Sequence, residues 1–452
     1  MDYIERIIDK YLLEWKDAPT HKPLLLRGAR QVGKSSAVRH LGAQFKYFAE
    51  VNFERLKGIH TFFSGDLDVR LIAAKIAKYI DIPIEPGNTL LFFDEIQECP
   101  EAIMALRFFK EDYPELHVIA AGSLLEFALE TLPTFGVGRI RSLFMYPFTF
   151  DEFLAATGNS GLIEIKRKAD SLHPLDEPFH AKVTDLFRIY LMVGGMPEVV
   201  ASWVETGDFL ACRRLHSDIV LTYEDDFNKY RRRASPELLR SVLRGVCHQI
   251  GNKFTFSRFA GDYRSAQIRE ALRMLTLAGL VTPVTATSGN GLPLDAEANE
   301  LIAKYLFLDS GLLLAILNLD GTSSQKMIEL ILTGSPQDVV NKGSLTEMVA
   351  GLEIMRYKGP FQRPKLFYWA QTGNSIAEVD YLEPKDARVV PIEVKAGTQG
   401  GMKSLWQFMR AKRLDFAVRT SLENFGTIDY TDPETSATRH LSILPLYALS
   451  NL

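Results

Sequence analysis

The feature that most constrains the fold of this chain is the pattern G-x-x-x-x-G-K-S at residues 28–35. An apolar run at 24–26 precedes the pattern, and the residues after it can continue as a helix. Gly28 and Gly33 permit backbone angles that a Cβ would penalise, so successive amide groups can curve around a phosphate. In this strand–loop–helix context the pattern predicts a phosphate-binding loop. The alternative is a glycine-containing turn that matches the pattern by chance.

The side chains of this loop suit a nucleotide bound together with a metal ion. The N-terminus of the following helix would add its dipole and unpaired N–H groups. Lys34, also a catalytic candidate, would place a positive charge at the β- and γ-phosphates, and the Ser35 hydroxyl would ligate Mg²⁺. We therefore predict that the nucleotide is bound by the loop and the residue after it, namely Gly28, Ala29, Arg30, Gln31, Val32, Gly33, Lys34, Ser35 and Ser36.

A second motif lies at residues 89–95, where a strand of the buried type ends in two carboxylates. Asp94 suits a direct or indirect contact to Mg²⁺ beside the phosphate loop. Glu95 could polarise the water that attacks the γ-phosphate. A strand that ends in solvated acids is the alternative, but the phosphate loop upstream favours a paired motif. The two motifs together predict binding of a nucleoside triphosphate.

Two further side chains are candidates for contacts to the transferred phosphoryl group. Ser123 follows an apolar strand expected at 117–121, where it could sense the γ-phosphate. An ordinary helix cap is the alternative for this serine. Arg139 lies in the glycine-rich segment 136–141 and could act as an arginine finger, although a solvated surface arginine is the alternative.

The composition limits the kinds of partner and the cellular compartment that we expect for this protein. The 452 residues are 46% apolar and 24% charged with a net charge of -4, so no global field favours nucleic acid. Cys99, Cys212 and Cys247 share no short spacing of the kind found in zinc sites or disulfide frameworks. The first residues lack the features of a signal peptide, and no run reaches the roughly 18 apolar residues of a membrane span. We expect a cytoplasmic protein with no membrane association.

The order of the expected elements indicates an α/β fold. Strands at 24–26, 45–53, 89–94 and 117–121 alternate with helical patterns. This alternation favours a parallel, doubly wound sheet with its site at the carboxyl ends of the strands.

Residues 235–310 show a different pattern, with helices followed by two strands that a Gly/Asn-rich turn joins. This is the outline of a winged helix-turn-helix. Its recognition helix would present side chains able to contact a DNA duplex, namely Arg264, Gln267, Arg269 and Arg273. Binding to protein or packing on the nucleotide-binding domain is the alternative for this module.

A last group of charged residues lies near the C-terminus, on two expected strands at 377–382 and 389–396. Asp380 could approach Glu393 to form a two-carboxylate Mg²⁺ site, with Lys395 placed to activate water. Glu347 on an earlier helix could supply a third acid. The alternative is that charged residues alternate along an exposed sheet face.

Taken together, these motifs resemble those of bacterial and archaeal AAA-type ATPases, which couple an N-terminal P-loop domain to a C-terminal domain of unknown function. The matching segments span nearly the whole chain in family order, at residues 28–35, 91–97, 121–123, 146–154, 194–197, 378–380 and 392–395.

The resemblance implies an ATPase core of the AAA+ type, a winged-helix element, and a terminal segment similar to PD-(D/E)xK nucleases. The domains would be a P-loop ATPase at 1–156, a helical linker at 157–234, a winged helix at 235–315 and a nuclease-like α/β domain at 316–452. ATP as the nucleotide rests on this resemblance.

The nuclease resemblance assigns particular residues. Asp380, Glu393 and Lys395 fall on its motif positions, and Glu347 falls where a helix acid often lies. The Pro-Asp pair of the nuclease pattern is Val379-Asp380 here, and Ser35 replaces a more frequent threonine while it keeps the hydroxyl.

Three functions are therefore open. In the first, ATP hydrolysis switches the winged-helix and nuclease-like region, which acts on DNA. In the second, a nucleotide-gated binding or regulatory protein carries a catalytically inactive nuclease-like domain. In the third, a weaker hypothesis, the winged helix is a sequence-specific transcriptional regulator. A homo-oligomer is an assembly typical of many AAA+ proteins, and the sequence leaves the oligomeric state open.

Overall fold

A computed structural model gives the fold. It describes residues 3–132, 138–231, 233–258, 263–317, 342–371, 377–396, 401–432 and 436–452. The chain forms two compact units. Unit 1 comprises Met1–Phe148, Leu277–Gly279 and Gly359–Arg363, and unit 2 comprises Thr149–Thr276, Leu280–Lys358 and Pro364–Leu452.

Unit 1 alternates strands and helices. Its strands are β1 (Leu24–Arg27), β2 (Tyr47–Asn52), β3 (Thr89–Asp94), β4 (His117–Ala121) and β5 (Arg141–Phe144). Its α-helices are α1 (Ile7–Lys16), α2 (Lys34–Gly42), α3 (Val69–Ile80), α4 (Pro100–Asp112) and α5 (Leu125–Thr131).

The five strands form a parallel sheet in the order β2-β3-β4-β1-β5. The phosphate-loop strand β1 and the acidic strand β3 are therefore separated by β4. Because all strands run the same way, the residues that follow β1, β3 and β4 meet at one edge of the sheet.

Complete burial explains why β3 reads as a continuous apolar run. Every residue of β3 is buried, which is typical of a central strand covered on both faces. The ring of Phe93 lies 5.6 Å from that of Phe53 and 5.9 Å from that of Phe109 on α4. This aromatic packing anchors the strand that carries Asp94.

Unit 2 begins with a series of helices and continues into a mixed sheet. Its α-helices are α6 (Phe150–Ala156), α7 (Ser160–Lys168), α8 (Glu177–Val193), α9 (Pro197–Thr206), α10 (Phe209–Asp226), α11 (Pro236–His248), α12 (Ser265–Leu277), α13 (Ser310–Ile316), α14 (Lys342–Tyr357) and α15 (Lys403–Lys412). Its strands are β6 (Val281–Thr287), β7 (Ala298–Phe307), β8 (Leu366–Ala370), β9 (Glu378–Lys385), β10 (Arg388–Val394), β11 (Phe416–Ser421), β12 (Gly426–Thr431) and β13 (Thr438–Pro445).

The sheet of unit 2 has eight strands in the order β12-β13-β11-β10-β9-β8-β6-β7. Strands β6 and β7 pair antiparallel, as expected for a wing, but β6 also pairs with β8 in parallel. The hairpin is therefore an edge of the same sheet that carries the nuclease-like motif. Leu405, Phe408 and Met409 of α15 are buried in the core beside this sheet.

The predicted α/β class is confirmed, with a parallel sheet in unit 1, a helical region, and a mixed sheet toward the C-terminus. The four domain boundaries stay a prediction. None of the helices that the described residues form is long and apolar enough to cross a membrane.

Candidate functional site

The phosphate loop joins β1 to α2 and needs glycine at its first position. Gly28 has φ 142°, and a Cβ there would lie 2.1 Å from the carbonyl oxygen of Met145. Gly33 has φ 97° and immediately precedes α2, so the first turn of that helix faces the loop. The loop thus presents backbone amides and a helix N-terminus together, the arrangement that favours phosphate.

The Lys34 side chain turns into the loop. Its Nζ donates hydrogen bonds to the carbonyl oxygens of Gly28, at 2.9 Å, and Ala29, at 2.7 Å. Burial lowers the pKa of Lys34 to about 8, although the carboxylates of Glu95 and Asp94 oppose that shift. When a nucleotide binds in the loop, the Lys34 ammonium can replace these hydrogen bonds to carbonyl oxygens with hydrogen bonds to phosphate oxygens.

Two polar side chains from separate segments converge on Asp94. Ser35 Oγ donates to Asp94 Oδ1 at 3.0 Å, and Asn52 Nδ2 donates to Asp94 Oδ2 at 3.2 Å. Burial raises the pKa of the Asp94 carboxyl. Hydroxyl and carboxylate oxygens are the donors that Mg²⁺ prefers, so the chemistry of Ser35 and Asp94 suits this ion, and their role as its ligands stays a prediction.

Glu95 lies directly after β3 with φ 49°, a left-handed angle that is uncommon for a residue with a side chain. Its Oε2 accepts hydrogen bonds from Ser123 N at 3.3 Å, Ser123 Oγ at 3.1 Å and Gln97 Nε2 at 2.6 Å. The structure therefore brings together Glu95 and Ser123, the two residues that the sequence suggested for water activation and phosphate sensing.

Three residues of this site were missed by sequence reasoning. Asn52 ends β2 opposite Asp94. Gln97 packs against Gly122, where a Cβ would lie 1.9 Å from Gln97 Oε1, so the glycine leaves the space that the Gln97 side chain occupies. Arg6 donates to the carbonyl oxygens of Val32, at 3.1 Å, and Tyr146, at 2.7 Å. Of these three residues, Asn52 had a signal in the sequence, since it is a polar residue at the end of an expected strand.

The remaining predicted residues of unit 1 have different surroundings. Val32 is buried, Arg30 is half-buried, and Gln31 and Ser36 are exposed. The Arg139 guanidinium pairs with the exposed carboxylate of Glu111. Positions 136 and 137 of the glycine-rich segment lie outside the described residues.

In unit 2, carboxylates from α14 and β9 converge. Glu347, Glu378 and Asp380 each place one oxygen within 4.8 Å of the others. Two of these residues, Glu347 and Asp380, are predicted metal ligands, whereas Glu378 was missed. Asp380 Oδ2 also accepts a hydrogen bond from Val394 N at 2.8 Å.

Glu393 and Lys395 of the nuclease-like motif bind each other. Lys395 Nζ lies 2.6 Å from Glu393 Oε1, and the buried Oε2 of Glu393 has no hydrogen-bond partner among the described residues. Burial raises the pKa of Glu393 to about 7 and that of Glu347 to about 8, and repulsion from Asp380 adds to both shifts.

A cation from the chain itself occupies the acidic pocket. Lys304 Nζ lies 2.7 Å from Glu347 Oε1 and contacts Glu378 Oε1 more closely still. Burial acts to lower the pKa of Lys304, but the carboxylates of Glu347 and Glu378 outweigh it and raise the pKa. A divalent metal does not fit among these carboxylates while the ammonium is there, because the ammonium already binds Glu347 Oε1 and Glu378 Oε1 and its positive charge would repel the metal ion.

The expected recognition helix α12 presents exposed polar groups. Arg264, Gln267 and Arg269 are exposed. The Arg269 guanidinium lies 5.4 Å from the centre of the Phe256 ring. Arg273, by contrast, pairs with Glu270 at 2.6 Å on the same helix.

The parallel sheet, the loop after β1 and the acidic pair after β3 define a P-loop nucleoside triphosphatase. Comparison with protein families agrees, since a model for an AAA domain matches residues 20–154. Two domains of unknown function, DUF8612 and DUF4143, match residues 184–323 and 342–440. The chain therefore carries an ATP-binding ATPase domain of the AAA type, as the resemblance implied.

Comparisons with individual proteins add little to this result. Curated proteins give no match. Among solved structures, the chain is similar to the Walker-type ATPase PABY2304 of Pyrococcus abyssi, with 17% identity, a TM-score of 0.44, and coverage of 70% of this chain and 96% of that one.

Two other solved structures are similar over part of the chain. The Aeropyrum pernix ORC1 protein, solved in complex with DNA, has 13% identity, a TM-score of 0.29, and coverage of 71% of this chain and 90% of that one. Unliganded Pif1 from a Bacteroides species has 14% identity, a TM-score of 0.21, and coverage of 40% and 51%.

Proposed function

We propose that this ATPase uses ATP hydrolysis to drive a conformational switch in its C-terminal helical, winged-helix and nuclease-like region. The observation that carries the proposal is the double hydrogen bond from Ser123 to Glu95 Oε2. It links the residue suited to activating water with the residue suited to sensing the γ-phosphate.

Each residue of the site has a proposed task. Lys34 and Ser35 hold the triphosphate and Mg²⁺, and Asp94 supports the metal, which neutralises phosphate charge when bound. The Ser123 hydroxyl exchanges its bond from Glu95 to a γ-phosphate oxygen. Glu95, still held by Gln97, then orients the attacking water.

Arg139 is proposed as the arginine finger, supplied within the chain or by a second copy in a homo-oligomer. Its present partner Glu111 does not prevent this role. Exposed ion pairs contribute only about 0–1 kcal/mol, so the guanidinium can leave at little cost.

Hydrogen exchange of residues 149–452 tests the switch. In the Glu95→Gln variant, ATP should bind without turnover and change the exchange of this region relative to ADP, because loss of the γ-phosphate contacts is what resets the switch. Lys34→Ala should show no nucleotide effect. The exposed residue Glu98 gives a matched control, since Glu98→Gln changes an acid in the same turn. Identical exchange in ATP and ADP would contradict the proposal.

DNA is the proposed macromolecular partner, and α12 with the nuclease-like domain the proposed contact. Arg264, Gln267 and Arg269 are exposed and could meet a duplex. Arg269→Ala should weaken duplex binding and reduce its salt dependence. Arg244→Ala, an exposed position on α11 that pairs with Glu224, is the control. Equal loss in both variants would argue against an α12 interface. We place these activities in the cytoplasm, in keeping with three unpaired cysteines.

A second candidate function is a nucleotide-gated binding or regulatory protein with an inactive nuclease-like domain. The ammonium of Lys304 among the acidic ligands favours it. Mg²⁺-dependent DNA cleavage decides between the two. Cleavage that disappears in Asp380→Ala and Lys395→Ala would support an active nuclease, whereas cleavage insensitive to both changes would come from a contaminant.

A further inference from the structure

The acidic pocket of unit 2 disagrees with the metal that its resemblance implies. Glu347, Glu378 and Asp380 bring three carboxylate oxygens within 4.8 Å of one another. This spacing and this donor type suit a divalent cation. The cation that the structure places there is instead the side chain of Lys304.

Lys304 reaches the pocket from a part of the chain outside the nuclease-like motif. It lies on β7, opposite Val284 in the β6–β7 hairpin. Its side chain is only 2% exposed and contacts both Glu347 and Glu378, and its Nζ lies 5.1 Å from the centre of the Tyr368 ring on β8. The ammonium is therefore held by the Tyr368 ring as well as by the acids.

Charge balance gives this lysine a specific role. Partly buried carboxylates that lie close together are unfavourable without a nearby cation, because burial removes part of their hydration and their charges repel one another. Lys395 neutralises Glu393 at 2.6 Å, so Lys304 is the cation that faces Glu347 and Glu378. Its position is thus that of a counter-ion.

We propose that Lys304 is the resident cation of this pocket, and that its ammonium takes the place of a divalent metal ion. The wild-type pocket then binds no Mg²⁺ or Mn²⁺, and removal of the ammonium converts it into a divalent-cation site. This inference concerns the pocket alone and stands whether or not ATP turnover drives a switch.

Mn²⁺ binding to the nucleotide-free full chain tests the proposal, with electron paramagnetic resonance as the readout. The wild-type protein should bind no Mn²⁺ in this pocket, so Asp380→Asn should leave its Mn²⁺ binding unchanged. Lys304→Ala should gain one Mn²⁺ per chain, and the added change Asp380→Asn should remove it. Lys358→Ala is the matched control, because Lys358 pairs with the single acid Glu383 at 2.6 Å and its loss creates no cluster.

Each outcome decides the matter. Mn²⁺ bound by wild type and lost in Asp380→Asn would overturn the proposal, as would a folded Lys304→Ala that gains no Mn²⁺. Lys304→Met is a second variant, because methionine fills more of the space of the lysine side chain than alanine does. If both variants unfold, their melting curves are measured with added Mn²⁺. Recovery of a cooperative transition supports a replaceable cation, and absence of recovery overturns it.

Discussion

Replacing Arg6 with alanine should weaken nucleotide binding, although Arg6 lies far from the phosphate loop in sequence. The guanidinium donates to Val32 O at 3.1 Å and to Tyr146 O at 2.7 Å, and lies 4.0 Å from the centre of the Phe148 ring. Hydrogen bonds from a charged donor contribute about 1.5–3 kcal/mol each. Arg6 is 8% exposed, so solvent screens these bonds weakly. Since water replaces part of what is lost, we expect unit 1 to lose about 2–4 kcal/mol.

The contact with Val32 connects this loss to function, because Val32 is part of the phosphate loop. We expect the Kd for a fluorescent ATP analogue to rise about tenfold, which corresponds to about 1.4 kcal/mol. Arg6→Lys should recover little, because a lysine lacks the planar fork that serves both carbonyls. Lys10→Ala, at an exposed position on α1, is the control. Urea unfolding and binding titration are measured together, and an unchanged Kd in a destabilised Arg6→Ala would refute a role in holding the loop.

Two other predictions follow from the packing of unit 1. Gly28→Ala should abolish tight nucleotide binding and destabilise the protein by about 1–3 kcal/mol, because the new Cβ would lie 2.1 Å from a backbone oxygen. Gly161→Ala is the control and should have neither effect, because a Cβ at Gly161 would meet no atom within 4 Å. Equal melting temperatures for the two variants would contradict this prediction. Burial, and then its stacked neighbour His21, lower the pKa of His117 to about 4. The unfolded chain therefore binds more protons between about pH 4 and 6.5, so stability should fall as pH decreases through this range. In urea unfolding, His117→Gln should reduce the dependence of the unfolding free energy on pH. His248→Gln, at an exposed position, should leave that dependence unchanged. The same pH dependence in both variants would show that His117 is not responsible.

The phosphate site was largely predictable because its motifs are local. Eight consecutive residues fix the loop, and the strand that ends in Asp94 and Glu95 identifies itself by its continuous apolar run. The parallel sheet then brings Ser123 to Glu95, as strand order alone suggests.

The residues that were missed act across long sequence separations. Arg6 contacts a loop residue 26 positions away, and Lys304 contacts acids 43 and 74 positions away. Neither residue belongs to a motif, and only the three-dimensional pairing of β7 with the rest of its sheet reveals Lys304. The nuclease-like pattern could therefore identify acids but not the cation among them.

Steady-state ATP hydrolysis by wild type, Glu95→Gln and Glu98→Gln, with and without DNA, tests the central claim most directly. We expect turnover in wild type and in Glu98→Gln, and ATP binding without turnover in Glu95→Gln, because Glu95 is held by Ser123 and Gln97 at the phosphate site whereas Glu98 is exposed. Normal hydrolysis by Glu95→Gln would show that another group activates the water and would contradict the account.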